Sequence, residues 1–268
     1  MRAGVKELAR TARALFWPDH VRHDGSVLPA PHLRYCGARF ADDRAFVASA
    51  EAEAERLVRH LGLHAGSRIL DVGCGVGRLA IGVLRRVGEI TEYRGVDVSR
   101  RSIHWCQRHI ARLHPRFQFD HLDIRNERYN PRGRSDARRV HLPFDPGRFD
   151  IIYLYSVFSH MRSAEVQAYL GEFRRLAAPA GRLFLTAFVE EGVEDEAVNP
   201  EGYRRAWEGP LHCVRFERGF LERLLAASGF RLDGLEPGTE TDGQSALYVS
   251  PRPRSATASD TRSTVAPR

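Results

Sequence analysis

Apolar positions along the chain follow two alternating rhythms. Between residues 43 and 61 they fall at helical spacing, with Phe46, Ala50, Ala54, Leu57 and Leu61 along one side and Gly62 where a helix C-cap belongs. Short continuous apolar runs then alternate with helical ones. Strands are expected at 68–72, 93–98, 117–122, 150–155 and 182–188, and helices at 78–87, 101–113 and 164–177. A helix at 218–227 and strands at 230–235 and 246–250 complete the pattern. Such alternation is α/β and argues for βαβ units on a parallel sheet. Upstream, residues 4–16 read as a short helix and 18–42 as a loop rich in His, Gly and Pro. The expected organisation is an N-terminal helical extension or cap over 1–62, an α/β domain over 63–250 and a disordered tail over 251–268.

Composition narrows the class. With 43% hydrophobic and 28% charged residues among 268, the chain is neither disordered, collagen-like nor a disulfide scaffold. Cys36, Cys74, Cys106 and Cys213 form no CxxC pair, so a reduced, cytoplasmic setting is expected, and no apolar run is long enough for a membrane span. A formal charge of +7 invites a nucleic-acid partner. Locating the charge weakens that reading. Lys6 is the only lysine, and the excess lies in two places. Between Arg125 and Arg148, seven arginines face Glu127, Asp136 and Asp145, and in the tail Arg252, Arg254, Arg262 and Arg268 face Asp260. The remainder is formally neutral, so no broad basic face is available to track a duplex.

The informative stretch is Ile69-Leu70-Asp71-Val72-Gly73-Cys74-Gly75-Val76-Gly77-Arg78, a buried strand running into a glycine turn that opens a helix. Glycines there permit a sharp turn and close approach of a ligand. A dinucleotide fingerprint needs its third glycine at position 78, which is Arg78, whereas here it comes one residue early as Gly77. An acid at Asp71 would repel a pyrophosphate and would suit a cationic amino-acid moiety carrying an ammonium and a sulfonium. Asp71 could also merely cap the turn. Cys74 reads as a small packing residue.

This arrangement resembles the first motif of class I S-adenosylmethionine-dependent methyltransferases, and four later segments extend the resemblance over residues 63–250. Gly95-Val96-Asp97 ends the second strand; Phe117 to Ile124 resembles the family's adenine-contacting turn; Phe149 to Leu154 resembles its fourth strand; and Leu176 to Leu185 resembles the turn into its fifth, with Ala180 where a glycine is usual. The resemblance implies a Rossmann-like, seven-stranded, mostly parallel sheet with helices on both faces, and S-adenosylmethionine as cofactor. The implied cofactor-binding residues are Asp71, Gly73, Gly75, Gly77, Asp97, Val98, Asp123, Ile124 and Tyr155. Asp97 would accept both ribose hydroxyls, or could instead cap the helix beginning near Ser99. Asp123 is preferred to its neighbour Asp120 for the adenine amine because it ends the strand. No metal is implied.

Methyl transfer is an in-line displacement, so alignment supplies much of the rate and no base is indispensable. The best base candidate is His160, in Tyr155-Ser156-Val157-Phe158-Ser159-His160-Met161, which leaves the fourth strand where an α/β sheet opens its crevice. Positioning and purely structural roles stay open for it. His212, Tyr203, Arg34 and Tyr35 are further candidates for an acceptor pocket. The run Asn126-Glu127-Arg128-Tyr129-Asn130-Pro131-Arg132-Gly133 resembles an element of a bacterial subgroup of these enzymes. The segment after the fourth strand, Leu154-Tyr155-Ser156-Val157, lacks the Asn/Asp-Pro-Pro-aromatic motif of nucleic-acid amine methyltransferases. The expected acceptor is a small molecule, with O-methylation favoured, and the arginine-rich loop would favour an anionic one. The alternatives are a binding module without catalysis and a methyltransferase acting on a macromolecule.

Overall fold

The computed structural model describes residues 18–35 and 37–253. The helix expected at 4–16, Cys36 and residues 254–268 of the tail lie outside them. The described chain opens with a hairpin, β1 (His20–His23) and β2 (Ser26–Pro29), where the sequence suggests only a loop. Asp24 and Gly25, at φ 46° and 73°, form its two-residue turn; both central residues in the left-handed region match the twist of the flanking strands. Helix α1 (Asp43–Arg56) is capped by Asp42, whose side chain accepts from the Ala45 amide at 2.8 Å. A π-type turn (Leu57–Leu61) continues it until Gly62, at φ 72°, ends it.

The α/β part follows as β3 (Arg68–Val72), α2 (Arg78–Arg86), β4 (Glu92–Asp97), α3 (Arg100–Cys106), β5 (Phe117–His121), β6 (Phe149–Leu154), α4 (Ser163–Leu176) and β7 (Ala177–Glu190). Then come β8 (Glu196–Val198), β9 (Val214–Glu217), α5 (Arg218–Ala227), β10 (Phe230–Glu236) and β11 (Ser245–Pro251). The main sheet runs β10-β11-β7-β6-β3-β4-β5, with β3 to β7 parallel and β11 antiparallel to β7. Seven strands on this path are the expected Rossmann-like arrangement; β9, carrying β8, adds to the far end of β7. These two short strands have no continuous apolar run to announce them.

Both faces of the sheet are covered. Ile69 of β3 joins a core with Phe46 of α1, Leu79 of α2 and Trp105 of α3, while its neighbour Leu70 joins one with Leu170 of α4 and Leu221 of α5. Successive strand residues point to opposite faces, so β3 feeds both cores. After β3 the chain lays β4 and β5 to one side and then returns to lay β6 on the other. The connections leaving β3 and β6 therefore diverge and open a crevice at the carboxyl ends of these strands. No helix among the described residues is long and apolar enough to cross a membrane.

Arg34 staples the N-terminal segment to this frame. Its buried guanidinium donates to the carbonyls of Pro29 at 2.8 Å and Phe40 at 2.9 Å and to the Asp43 carboxylate at 2.5 Å, and it lies over the Phe46 ring at 4.6 Å. It is thus a structural residue beneath the site and does not line the acceptor pocket. Arg34→Ala leaves two buried carbonyls unpaired, and thermal unfolding should register a loss of about 3 kcal/mol, roughly 10 °C in Tm. An unchanged Tm would refute the staple.

Candidate functional site

The crevice holds a cavity at the ends of β3, β4 and β6. Its first wall is the glycine turn. Gly73, Gly75 and Gly77 all have left-handed backbone, at φ 75°, 52° and 74°. The amides of Gly73 and Cys74 both donate to the Val96 carbonyl, at 2.8 and 3.1 Å, which pins the turn to β4. A side chain at Gly73 would fall 2.5 Å from Val157 and one at Gly77 2.7 Å from Ile110, whereas at Gly75 nothing stands within 4 Å. Gly75 lines the cavity, so this space is where a ligand can meet backbone.

Asp71 ends β3 with only 2% of its surface exposed, yet it lines the cavity. The Tyr93 hydroxyl donates to its carboxylate. Burial raises Asp71 to about 7, while the Tyr93 hydrogen bond and the Arg78 charge pull the other way. A carboxyl poised near neutrality in a pocket is ready for a cationic ligand group. Asp97, also raised by burial, accepts from the amides of Gly75 at 2.8 Å and Ser99 at 2.7 Å. The cap of α3 is Ser99, whose hydroxyl accepts from the Ser102 amide. Asp97 therefore braces the glycine turn and keeps further lone pairs for a ligand.

Much of the remaining lining is aromatic: Tyr35, Tyr129, Tyr153, Tyr155 and His160, with Met161, and Tyr153 is paired with Asp71 across β3 and β6. The Tyr155 hydroxyl meets Thr241 at 2.9 Å and Glu240 at 3.1 Å, and Arg78 lies 4.6 Å over its ring. Ser156, at φ 57°, turns the chain sharply after β6. That strained backbone is held by Thr186, which accepts from the Ser156 amide at 2.8 Å, and by Gln244, which donates to the Ser156 hydroxyl at 2.9 Å. His160 is buried, its Nδ1 lying 2.9 Å from the Leu211 carbonyl oxygen and its Nε2 3.2 Å from the Tyr129 hydroxyl. Burial pushes His160 down to about 4; the Leu211 carbonyl opposes that shift and the Arg128 charge adds to it.

The tertiary structure brings together Asp71, Gly73, Gly75, Asp97, Val98, Tyr155 and His160 around one cavity, with Tyr35 at its wall. Gly77, Asp123 and Ile124 are not among its lining residues. Gly77 acts behind the turn, against Ile110 and Cys106. Asp123 is held by Arg134 at 2.6 Å, and Leu122 lines the cavity in its place. Tyr203 packs with Phe188 and Cys213, and His212 lies beside Trp207, both away from the cavity lining. Cys74 is buried, with its thiol pushed up by desolvation, as suits a packing residue. None of the seven arginines between 125 and 148 lines the cavity; Arg134 pairs with Asp123, Arg138 with Asp136 and Arg148 with Glu92. The sequence pattern gave no separate weight to Tyr153, Arg78 or Asn126, because pocket lining depends on which elements converge.

Comparison with known proteins accords with this geometry. A family model described as a methyltransferase domain matches residues 45–234. A methyltransferase, GfsG, from Streptomyces halstedii is 29% identical over 148 residues, covering 54% of this chain and 46% of the relative. The chain thus spans about half the length of that curated relative. Among solved structures, the [4+2]-cyclase SpnF superposes with a TM-score of 0.57 at 19% identity, covering 83% of this chain and 85% of that one. The magnesium protoporphyrin IX methyltransferase of Synechocystis PCC 6803, with bound S-adenosylmethionine, gives 0.52 at 18% identity, covering 82% and 86%. At these identities the structures speak for the fold, and the family match covers most of the sheet and every cavity-lining residue except Tyr35. The chain belongs to the methyltransferase-domain family, the class I methyltransferases that use S-adenosylmethionine.

Proposed function

We propose that this chain methylates a small-molecule acceptor by in-line displacement, with O-methylation favoured. The observation that carries the reading is the single cavity lined both by Asp71, Gly73, Gly75 and Asp97 and by Tyr129, Tyr155, His160 and Met161. The first set fits the cofactor. A buried carboxyl near neutrality suits the ammonium of its amino-acid end, the open face at Gly75 admits close approach, and Asp97 has lone pairs for two ribose hydroxyls. Bound S-adenosylmethionine supplies a methyl group activated by its sulfonium charge. Val98 and Leu122, which line the cavity, would pack against the adenine, and Asp123, tied to Arg134, would hold the turn that carries Leu122.

The second set would position the acceptor. Aromatic rings on several sides confine a flat or hydrophobic molecule at little entropic cost. Support for an anionic acceptor comes from Arg128 alone among the loop arginines, since its guanidinium lies 5.5 Å over the Tyr129 ring. Fold alone does not choose the chemistry, so activity has to be measured. S-adenosylhomocysteine should stabilise the protein thermally while NADH should not, and methyl-labelled cofactor with a metabolite extract should label small molecules. Label confined to protein or RNA fractions would point to a macromolecular acceptor. Stabilisation with no label anywhere would make the chain a binding module.

A further inference from the structure

We infer that Tyr129 is a catalytic residue that presents only hydrogen-bond-accepting lone pairs to the acceptor, with His160 behind it as proton store, so the methylated group is an O–H or N–H donor. This rests on the cofactor-dependent methyl transfer proposed above. The argument is a chain of hydrogen-bond polarities. Nδ1 of His160 lies 2.9 Å from the Leu211 carbonyl oxygen, which can only accept, so Nδ1 carries a proton. The buried ring is neutral at physiological pH, so Nε2 is the bare nitrogen. The Tyr129 hydroxyl, 3.2 Å away, must then donate its single proton to Nε2. Whatever else Tyr129 touches, its oxygen has only lone pairs left for other partners, and Tyr129 lines the cavity.

The dyad is built, not accidental. Asn126 is buried, and its side-chain oxygen accepts from the amides of Arg128 at 3.1 Å and Tyr129 at 3.0 Å while its nitrogen donates to the His160 carbonyl at 3.1 Å. One amide thus ties the backbones of both partners together. Asn130 braces the same loop through the Ile124 carbonyl at 3.0 Å, and the two rings meet edge to face at 5.2 Å.

The proton balance is complete. As the acceptor oxygen or nitrogen pair forms the new bond to the methyl carbon, the carbon–sulfur pair stays on sulfur. The acceptor's proton passes to the Tyr129 oxygen, and the Tyr129 proton passes to Nε2 of His160. The resulting imidazolium keeps its Nδ1 bond to Leu211 and returns one proton to solvent. A weakly basic imidazole suffices when the acceptor is a hydroxyl or an amide or ring N–H, because such a group, once alkylated and still holding its proton, is a far stronger acid than an imidazolium. An aliphatic amine gives an ammonium that is the weaker acid and falls outside this route.

The test uses the full chain carrying 15N-labelled histidine. The His160 ring should show the neutral Nδ1–H tautomer without titrating above pH 5, and Tyr129→Phe should move its Nε2 resonance toward that of an unbonded lone pair. Tyr129 is 47% exposed, so this variant should keep its Tm and its S-adenosylhomocysteine affinity within twofold. In the labelled-extract assay, Tyr129→Phe should lower the labelling rate at least tenfold, and the labelled products should be O- or N-methylated. An Nε2–H tautomer, an Nε2 resonance unmoved by Tyr129→Phe, or C-methylated product formed by the variant at the wild-type rate would overturn the inference. Failure of the wild type to bind S-adenosylhomocysteine would instead strike the methyltransferase reading and leave the tautomer result standing.

Discussion

Asp71→Asn will abolish useful cofactor binding while making the ligand-free protein more stable. The variant keeps the size of the side chain and an oxygen to accept from Tyr93, and it loses only the charge. Removing one partner of a buried charge pair costs about 2–5 kcal/mol, so calorimetry should show S-adenosylhomocysteine affinity down by about a hundredfold or more. In the wild type, burial raises Asp71 to about 7, against about 3.9 in an unfolded chain. Between these values the folded protein holds a proton that the unfolded chain has lost, so the group's contribution to stability declines as pH rises from 4 to 7 and is flat above. Asn carries no such penalty. The ligand-free variant should therefore melt several degrees above the wild type at pH 8, with the gap closing toward pH 4. For the wild type, a cationic ligand requires the ionised form, so affinity should rise about tenfold per unit from pH 5 to 7 and then level off. A flat affinity profile, or a variant that binds normally, would show that Asp71 does not hold a cation.

Gly82→Ala will cost the fold several kcal/mol, although helix propensity alone says the reverse. Alanine in a helix interior is favoured over glycine by about 1 kcal/mol. At Gly82 in α2, however, an added Cβ would stand 1.9 Å from the backbone oxygen of Ala50 in α1 and 2.5 Å from its carbonyl carbon. Backbone cannot rotate out of the way, so the two helices must separate and open the core that Phe46, Leu79 and Val83 share. Overpacking of this kind costs about 1–3 kcal/mol or more, and Tm should fall by roughly 10 °C. Gly171 in α4 is the matched control: nothing stands within 4 Å of its added Cβ. Gly171→Ala should raise Tm by a few degrees. Equal responses at the two positions would refute the contact argument.

These glycines show where reading the chain stops. Both sit inside helical patterns and look alike in one dimension, because periodicity records only which face of an element is apolar. The distance between two helix backbones is a property of the packed pair. Arg34 makes the same point: a loop arginine reads as solvated charge until the fold supplies the two carbonyls and the carboxylate that bury it.

What the sequence determined by itself is the α/β alternation, the limits of β3 and of α5 to the residue, and the glycine turn with acids at Asp71 and Asp97. These are local signals, since strand and helix periods and the need for left-handed backbone are written in neighbouring residues. The hairpin at β1 and β2 was missed as part of a loop, because its four-residue strands and Asp-Gly turn are too short to stand out from it. Only the tertiary structure decided that Leu122 and not Asp123 faces the cavity, that Arg34 lies beneath the site, and that Asn126 joins Tyr129 to His160 across 34 residues. Such facts arise from the convergence of β3, β4 and β6 at one end of the sheet. Their energetics depend on burial and on hydrogen-bond polarity between distant residues, and neither quantity exists until the chain has folded.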